Sequence, residues 1–209
     1  QNEMENELII IKAAKTTVEN YLEIFAKYHL ELNNLLSNLN NLEYLFAKDF
    51  SDTQTPHKLI LDLEDNLFKI YIFQGNRLCF DRHVSCGFEE IIKALGKKVQ
   101  INNKEFELKA EAAQKFLNTN NLFSQKKEIE PFFFLIRPVL EKMAIEVQKS
   151  LHFYAKRTMQ NTIFEHAYIR GDFLKIKEVA QFLAPQLKMK VLPLDFKANL
   201  FKDKPAPEL

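Results

Sequence analysis

Glu146-Val147-Gln148-Lys149-Ser150-Leu151-His152-Phe153-Tyr154 closes a long amphipathic helical pattern, and the residues from there to Leu192 decide the fold. The stretch from Glu141 to Leu192 reads as the end of that helix, a strand over Thr162–Ile169 and a turn at Gly171-Asp172 with a single glycine. A helix over Leu174–Leu187 and a strand over Lys190–Leu194 follow. Short apolar runs alternating with helical periodicity predict a parallel β-α-β crossover. Such a unit serves many chemistries, so it sets architecture and leaves function open.

Working outward, the 209 residues suffice for one large core or two lobes, and 46% apolar with 27% charged residues is an ordinary globular composition. Twenty-nine basic residues balance 28 acidic ones, a formal charge of +1, which provides no field for a nucleic-acid backbone; nucleic acid is excluded as an expected partner. Cys79 and Cys86 lack CxxC spacing and further thiol partners, so they read as reduced thiols in a strand or core. His29, His57, His83, His152 and His166 show no HxxxH or HxH spacing, and no metal site is expected. The densest apolar run, Pro131-Phe132-Phe133-Phe134-Leu135-Ile136, stops at Arg137, short of the roughly 18 residues that span a bilayer. Phe132, Phe133 and Phe134 make a stripe wider than one helix face buries. Core packing and an interface with a partner or another copy are both open for it.

From the N-terminus, Glu7 to Ala14 is a continuous β-branched run, the signature of a strand covered on both faces. Thr16 or Thr17 then caps a helix through Val18, Tyr21, Leu22, Phe25 and Tyr28, followed by a short strand over Leu30–Leu36 and a helix opening at Asn40. After a polar break over Ser51–His57, the runs Lys58–Leu63, Leu67–Phe73 and Arg77–Val84 predict an antiparallel meander, with Gly75-Asn76 supplying positive φ at the second turn. Phe88–Leu95 reads as an amphipathic helix and Glu107–Leu117 as a second one within a polar insert between Asn-rich and Lys-rich connectors. A long helix spans Ile129–Arg157, which Pro138 should kink or start. On it, Glu146 is expected to face solvent, His152 to pack, and Leu151 to lie on the side against the sheet. The tail Lys202–Leu209 is expected to be flexible.

A meander, a helix, an insert, a long helix and two parallel β-α units form the lobe topology of the actin-like, sugar-kinase-like α/β fold (ribonuclease H-like, ASKHA). The residues themselves resemble the PilM family of type IV pilus machines, with FtsA and the type II secretion L-proteins as cousins. Glu146 to Tyr154 resembles that family's acidic-x-x-basic-Ser-Leu-x-Phe-Tyr run. Ile10 to Phe46 is similar to its strand, helix, turn and helix closing the first lobe, Arg82 to Ile91 to the segment after its third meander strand, and Ala110-Glu111 to its Ala-Glu pair. The resemblance implies a partial first lobe over residues 1–50 and a second lobe over 51–209, with an inserted subdomain at about 98–130 and the flexible tail at 202–209.

In the fold so implied, ATP lies between the lobes, cradled by two Asp-x-Gly hairpin turns and a glycine-rich strand-helix turn, because glycine lets backbone N–H groups approach phosphates. The resemblance puts the first hairpin upstream of Gln1. Where it puts the second stands Asp62-Leu63-Glu64, with a side chain and a negative charge in place of glycine. Gly171-Asp172-Phe173 keeps one glycine of the adenosine turn, and Gln114, beside Lys115, stands where the resemblance puts a lysine after Ala110-Glu111. Asp62, Glu64, Glu111, Gly171 and Asp172 are therefore the positions of a degenerate nucleotide site, with no ATP or Mg²⁺ expected and no catalytic residue assigned. The strand Leu8–Ala13 would lack its hairpin neighbour, so Leu8, Ile9, Ile10 and Ile11 are expected to pair with residues upstream of Gln1, a second copy of the chain or a strand of the PilN-like partner.

Two classes of function follow. The resemblance implies a non-enzymatic cytoplasmic scaffold at the inner face of a bacterial inner membrane. It would bind the cytoplasmic peptide of a PilN-like single-pass protein, a PilO-like protein through it, and further copies of itself, in a ring of a pilus, transformation, secretion or flagellar machine. The alternative is an actin-like ATPase or kinase, using ATP and Mg²⁺, whose phosphate-binding half lies upstream of residue 1.

Overall fold

The computed structural model describes residues 12–31, 57–75, 77–159 and 162–194. The backbone divides into two compact units, 1–44 and 45–209. Within the first, the described segment is the helix α1 (Lys15–Lys27). It starts one residue before the expected cap. The Ala14 carbonyl accepts from the Thr17 and Val18 N–H groups, so both threonines fall inside the first turn and neither caps it. Lys12, Ala13 and Ala14 carry no strand, and Leu8 to Ile11, the strand expected over Leu30–Leu36 beyond Glu31, the helix from Asn40 and the tail at 202–209 lie outside the described residues.

In the second unit, the strands β1 (His57–Leu63), β2 (Phe68–Gln74) and β3 (Arg77–Val84) form the expected meander. They are followed by α2 (Phe88–Leu95), a hairpin of β4 (Val99–Ile101) and β5 (Lys104–Phe106), and α3 (Ala110–Thr119). The long helix α4 (Glu130–Thr158) leads to β6 (His166–Gly171), a 3₁₀ turn over Asp172–Lys175, α5 (Val179–Leu187) and β7 (Lys190–Pro193). Among the described residues the main sheet runs β3-β2-β1-β6-β7, antiparallel across the meander and parallel from β1 through β7.

The register sorts the side chains onto two faces. Leu59, Leu61 and Leu63 lie opposite Ile72, Ile70 and Phe68, and Ala167 and Ile169 continue the layer across β6. All are at most 3% exposed and join Ile91, Leu95, Ile136, Leu140, Met143, Val147, Phe173 and Leu183 of the helical layer in one core. The opposite face carries Ile60, Tyr71 and Phe73 beside Lys58, Asp62 and Lys69, all buried. Burial on both faces explains why β1 and β2 read as unbroken apolar runs.

The 29-residue helix α4 runs continuously through Pro138 rather than starting there. Pro138 has no N–H for the Phe134 carbonyl, but both residues sit on the exposed side of the helix, where the missing bond costs the core nothing. The strand expected from Thr162 begins instead at His166, because the pairing with β7 starts at the His166–Lys190 pair and that with β1 at Ala167. The helix expected from Leu174 begins at Val179. Phe173 is pulled into the core and edges Phe68 at 5.7 Å, while the Lys177 N–H donates to the Leu117 carbonyl of α3, so the chain spends Leu174 to Glu178 crossing between layers.

Candidate functional site

Parallel strands β1 and β6 both end at one point, and the turns that leave them enclose a cleft of about 510 Å³. The β1–β2 turn contributes Glu64, Asp65 and Asn66, and the exit from β6 contributes Gly171, Asp172 and Lys175, over a floor of Asp62 and Arg170. The carboxyl ends of parallel strands are where open α/β sheets hold ligands. The structure thus brings together Asp62, Glu64, Gly171 and Asp172, four residues 110 positions apart at their extremes in sequence. Glu111 is not among them: it is exposed on the first turn of α3, away from the cleft lining.

Each cation at this cleft already has an anion. Asp62 is 2% exposed and lies opposite Lys69 on β2 and Arg170 on β6; its carboxylate forms an ion pair with the Arg170 Nε at 3.3 Å. Lys69 turns to Glu64, and Lys175 Nζ holds the Asp172 carboxylate at 2.6 Å. Lys175 also lies 5.3 Å from the Phe88 ring centre. The lining holds the carboxylates of Asp62, Glu64, Asp65 and Asp172 against the positive Arg170 and Lys175. Burial pushes the Asp62 carboxyl above its usual range, Arg170 and Lys69 pull it back, and Glu64 and Asp172 add to the rise.

The Glu64 N–H and the Glu64 and Asp65 carbonyls are likewise committed. The Glu64 N–H donates to the Leu67 carbonyl at 2.8 Å, and the Phe88 and Glu89 N–H groups at the start of α2 donate to the Glu64 and Asp65 carbonyls, both at 2.9 Å. The turn therefore caps the helix. Gly87 permits this contact, since a Cβ there would stand 2.2 Å from the Asp65 carbonyl oxygen. Gly171 has φ +65°, and a Cβ on it would meet the Leu63 carbonyl oxygen at 2.3 Å and Asp62 Oδ1 at 2.7 Å. Packing of β6 on β1 demands this glycine by itself.

The Glu146–Tyr154 run fastens α4 to β3. Glu146 is not solvent-facing as expected; its side chain is 15% exposed and bridges Arg82 of β3 and Lys149, the latter at 2.7 Å. The hydrogen bond from Lys149 holds the Glu146 carboxyl below its usual range, burial opposes that, and Arg82 reinforces it. Ser150 is fully buried beneath Arg82, its hydroxyl donating to the Glu146 carbonyl at 2.8 Å. Tyr154 is buried with its ring edge-on to Phe80 and Phe164. His152, expected to pack, is exposed, and Leu151 is only partly buried on the flank of the core, because Val147, Ser150 and Tyr154 hold the inward line. This lock between strand and helix could be read from the sequence only as a motif, since the Arg82–Glu146 partnership spans 64 positions.

The phenylalanine stripe fans out. Phe132 is buried with its ring centre 4.6 Å from Phe116, Phe133 meets Phe123 and Phe182 at 5.7 and 6.0 Å, and Phe134 is 54% exposed. Burial raises the Cys86 thiol to about 11, with help from Glu90. Among the described residues no cluster of His, Cys, Asp or Glu could hold a metal ion, and no helix is long and apolar enough to cross a membrane.

No family model matches the chain. No curated protein matches it either. Solved structures do. A "PilM-PilN type IV pilus biogenesis complex" superposes with a TM-score of 0.66 at 19% identity over 87% of this chain. MreB5 of Spiroplasma citri bound to ADP gives 0.64 at 11% over 90%, and the ethanolamine utilization protein EutJ from Carboxydothermus hydrogenoformans 0.56 at 18% over 87%. The chain spans 48%, 63% and 57% of the lengths of these three structures. At such identities the likeness speaks for architecture, and the architecture is the actin-like α/β fold.

Proposed function

We infer that the chain is a PilM-like scaffold that does not turn over nucleotide, built as a partial first lobe over 1–50 and a second lobe over 51–209. The observation that carries this reading is the closed set of ion pairs at the carboxyl ends of β1 and β6: Asp62–Arg170, Glu64–Lys69 and Asp172–Lys175. The residues present do not fit a polyphosphate. Phosphate recognition needs uncommitted N–H groups and cations. Here the Glu64 N–H is bonded within its own turn, and a carboxylate occupies the position that the resemblance gives to glycine. Two like charges 4 Å apart near a protein surface repel by about 4 kcal/mol, so an entering phosphate meets opposition from the Glu64 and Asp172 carboxylates unless their lysines are released. Gly171 gives the alternative no support, because its lack of a side chain is already required by Leu63 and Asp62.

As a scaffold of this type, the protein works at the inner face of a bacterial inner membrane. Its partners are the cytoplasmic peptide of a PilN-like single-pass protein, a PilO-like protein through it, and further copies of itself, in a pilus, transformation, secretion or flagellar-motor assembly. The PilM–PilN complex among structures of this fold supports the partner class. Affinity purification of the full-length protein from its own organism, in mild detergent, tests the reading. Co-elution of a single-pass membrane protein with a short cytoplasmic N-terminus is expected. Recovery of a soluble, nucleotide-loaded protein without such a partner would reverse it. The competing reading, an actin-like ATPase, is favoured by the position of the cleft and by the ADP-bound MreB5 among structures of this fold, and requires Glu64 and Asp172 to exchange their lysines for a metal ion.

A further inference from the structure

We propose that the groove between β3 and the C-terminal half of α4 is a docking site for an extended acidic peptide, which adds as a strand to the edge of the sheet. β3 ends the sheet order, so its outer backbone edge pairs with no strand among the described residues. Beside that edge lies a hollow of about 530 Å³, with Phe80 on the strand side and Lys149, His152, Phe153 and Lys156 on the helix side. The four helix residues are spaced i, i+3, i+4, i+7 and form one stripe facing away from the core, where Val147, Ser150 and Tyr154 point. Phe80 and Phe153 sit 6.1 Å apart, and Phe153 remains 57% exposed, an apolar ring left open to solvent beside the sheet edge.

The order of groups along this stripe defines the occupant. An aromatic step at Phe80 and Phe153 is flanked by a lysine one turn before and one turn after. Lys149 shares the Glu146 carboxylate with Arg82, whereas Lys156 has no ion pair among the described residues. Asp81, the acidic group of the lining, belongs to the opposite face of β3 and is held by His83 at 3.0 Å. A strand pairing with β3 places alternate side chains on the helix face, about 7 Å apart. One apolar side chain then fills the step between the rings, and its same-face neighbours present carboxylates to Lys149 and Lys156. Main-chain bonds supply affinity, and the acidic-x-apolar-x-acidic pattern supplies register. This surface stands apart from the scaffold reading and from the cleft at Asp62, and an actin-like ATPase could carry it equally well.

The test is selection of a phage-displayed library of random short peptides on the immobilised full-length protein, followed by titration of the enriched peptides in solution. Enriched peptides should carry acidic residues at alternate positions around an apolar one, weaken as salt is raised, and shift the amide resonances of Cys79 to Val84. Phe153→Ser and Lys156→Glu, both at exposed positions, should each lower affinity about 10-fold or more while leaving circular dichroism and melting temperature unchanged. No enrichment, enrichment of peptides without acidic residues, or equal binding by both variants would overturn the proposal. Sedimentation with phosphatidylglycerol vesicles is the second arm. Vesicle binding that is lost in Phe153→Ser, together with no peptide selected, would assign the groove to a lipid surface instead.

Discussion

Replacing Gly171 with alanine separates two reasons for having a glycine at the end of β6. If the glycine served ligand approach, Gly171→Ala would leave the empty protein nearly as stable. The structure sets a different expectation. With φ +65° and ψ −137°, an L side chain costs about 1–3 kcal/mol in backbone strain. The added Cβ would also stand 2.3 Å from the Leu63 carbonyl oxygen, and Leu63–Gly171 is the last register pair between β1 and β6. Relieving that contact pushes the strand ends apart and forfeits a buried backbone hydrogen bond, about 1 kcal/mol, with further loss where Asp62 and Arg170 are parted. A total of about 3–5 kcal/mol follows. Gly75 is the control: its φ is +59° but nothing lies within 4 Å of an added Cβ, so Gly75→Ala should cost only about 1 kcal/mol. Urea unfolding followed by circular dichroism measures both. Equal costs for the two variants, or a loss below about 1 kcal/mol at Gly171, would refute the packing argument.

Val147 is 1% exposed and faces the sheet, so Val147→Asp should cost about 3–5 kcal/mol, whereas Leu151→Asp on the flank should cost about 1–2; a reversed order in chemical denaturation would mean that the helix presents a different face. Asp62 binds its proton up to a higher pH when folded than its usual value of 3.8, so it favours folding at low pH and loses that contribution as pH rises through the raised value. Asp62→Asn should therefore gain stability relative to the unmodified protein as pH rises from that range, and a difference that is flat with pH would contradict the sign. Glu146 has the opposite sign: its lowered carboxyl contributes stability above the usual 4.5 and loses it as pH falls through the lowered value. The destabilisation caused by Glu146→Gln should accordingly be full at neutral pH and vanish in acid, as read from melting temperatures across that range.

The meander and the β-α-β crossover were legible because their apolar runs are continuous and Gly75 marks the turn between β2 and β3. The hairpin of β4 and β5 is marked in the sequence by Asn102-Asn103. Asn102 and Asn103, both at positive φ, sit as a two-residue turn between Ile101 and Lys104, the pattern of a type I′ hairpin. The late start of α5 could not be read, since it depends on Phe173 finding the core and on a hydrogen bond to Leu117 more than 50 positions away. At the cleft, the turn residues Glu64 and Asp172 were visible as departures from a phosphate-binding pattern. The partners of Glu64 and Asp62 were not, because Lys69 and Arg170 reach them only once the β1–β2 and β1–β6 registers are set. That Glu111 lies outside the cleft lining could not be read either: its helix position is clear from the sequence, but where that helix sits depends on how the insert packs.

Isothermal titration of Mg-ATP into the full-length protein, alongside Glu64→Gly, is the direct test of the claim that this cleft is closed to nucleotide. No binding to the unmodified protein is expected below the millimolar range, where the binding free energy is only about 4 kcal/mol, and at most a weak gain in the glycine variant. A micromolar dissociation constant for the unmodified protein would show that Glu64 and Asp172 release their lysines for a metal-bound phosphate, and would contradict the scaffold reading.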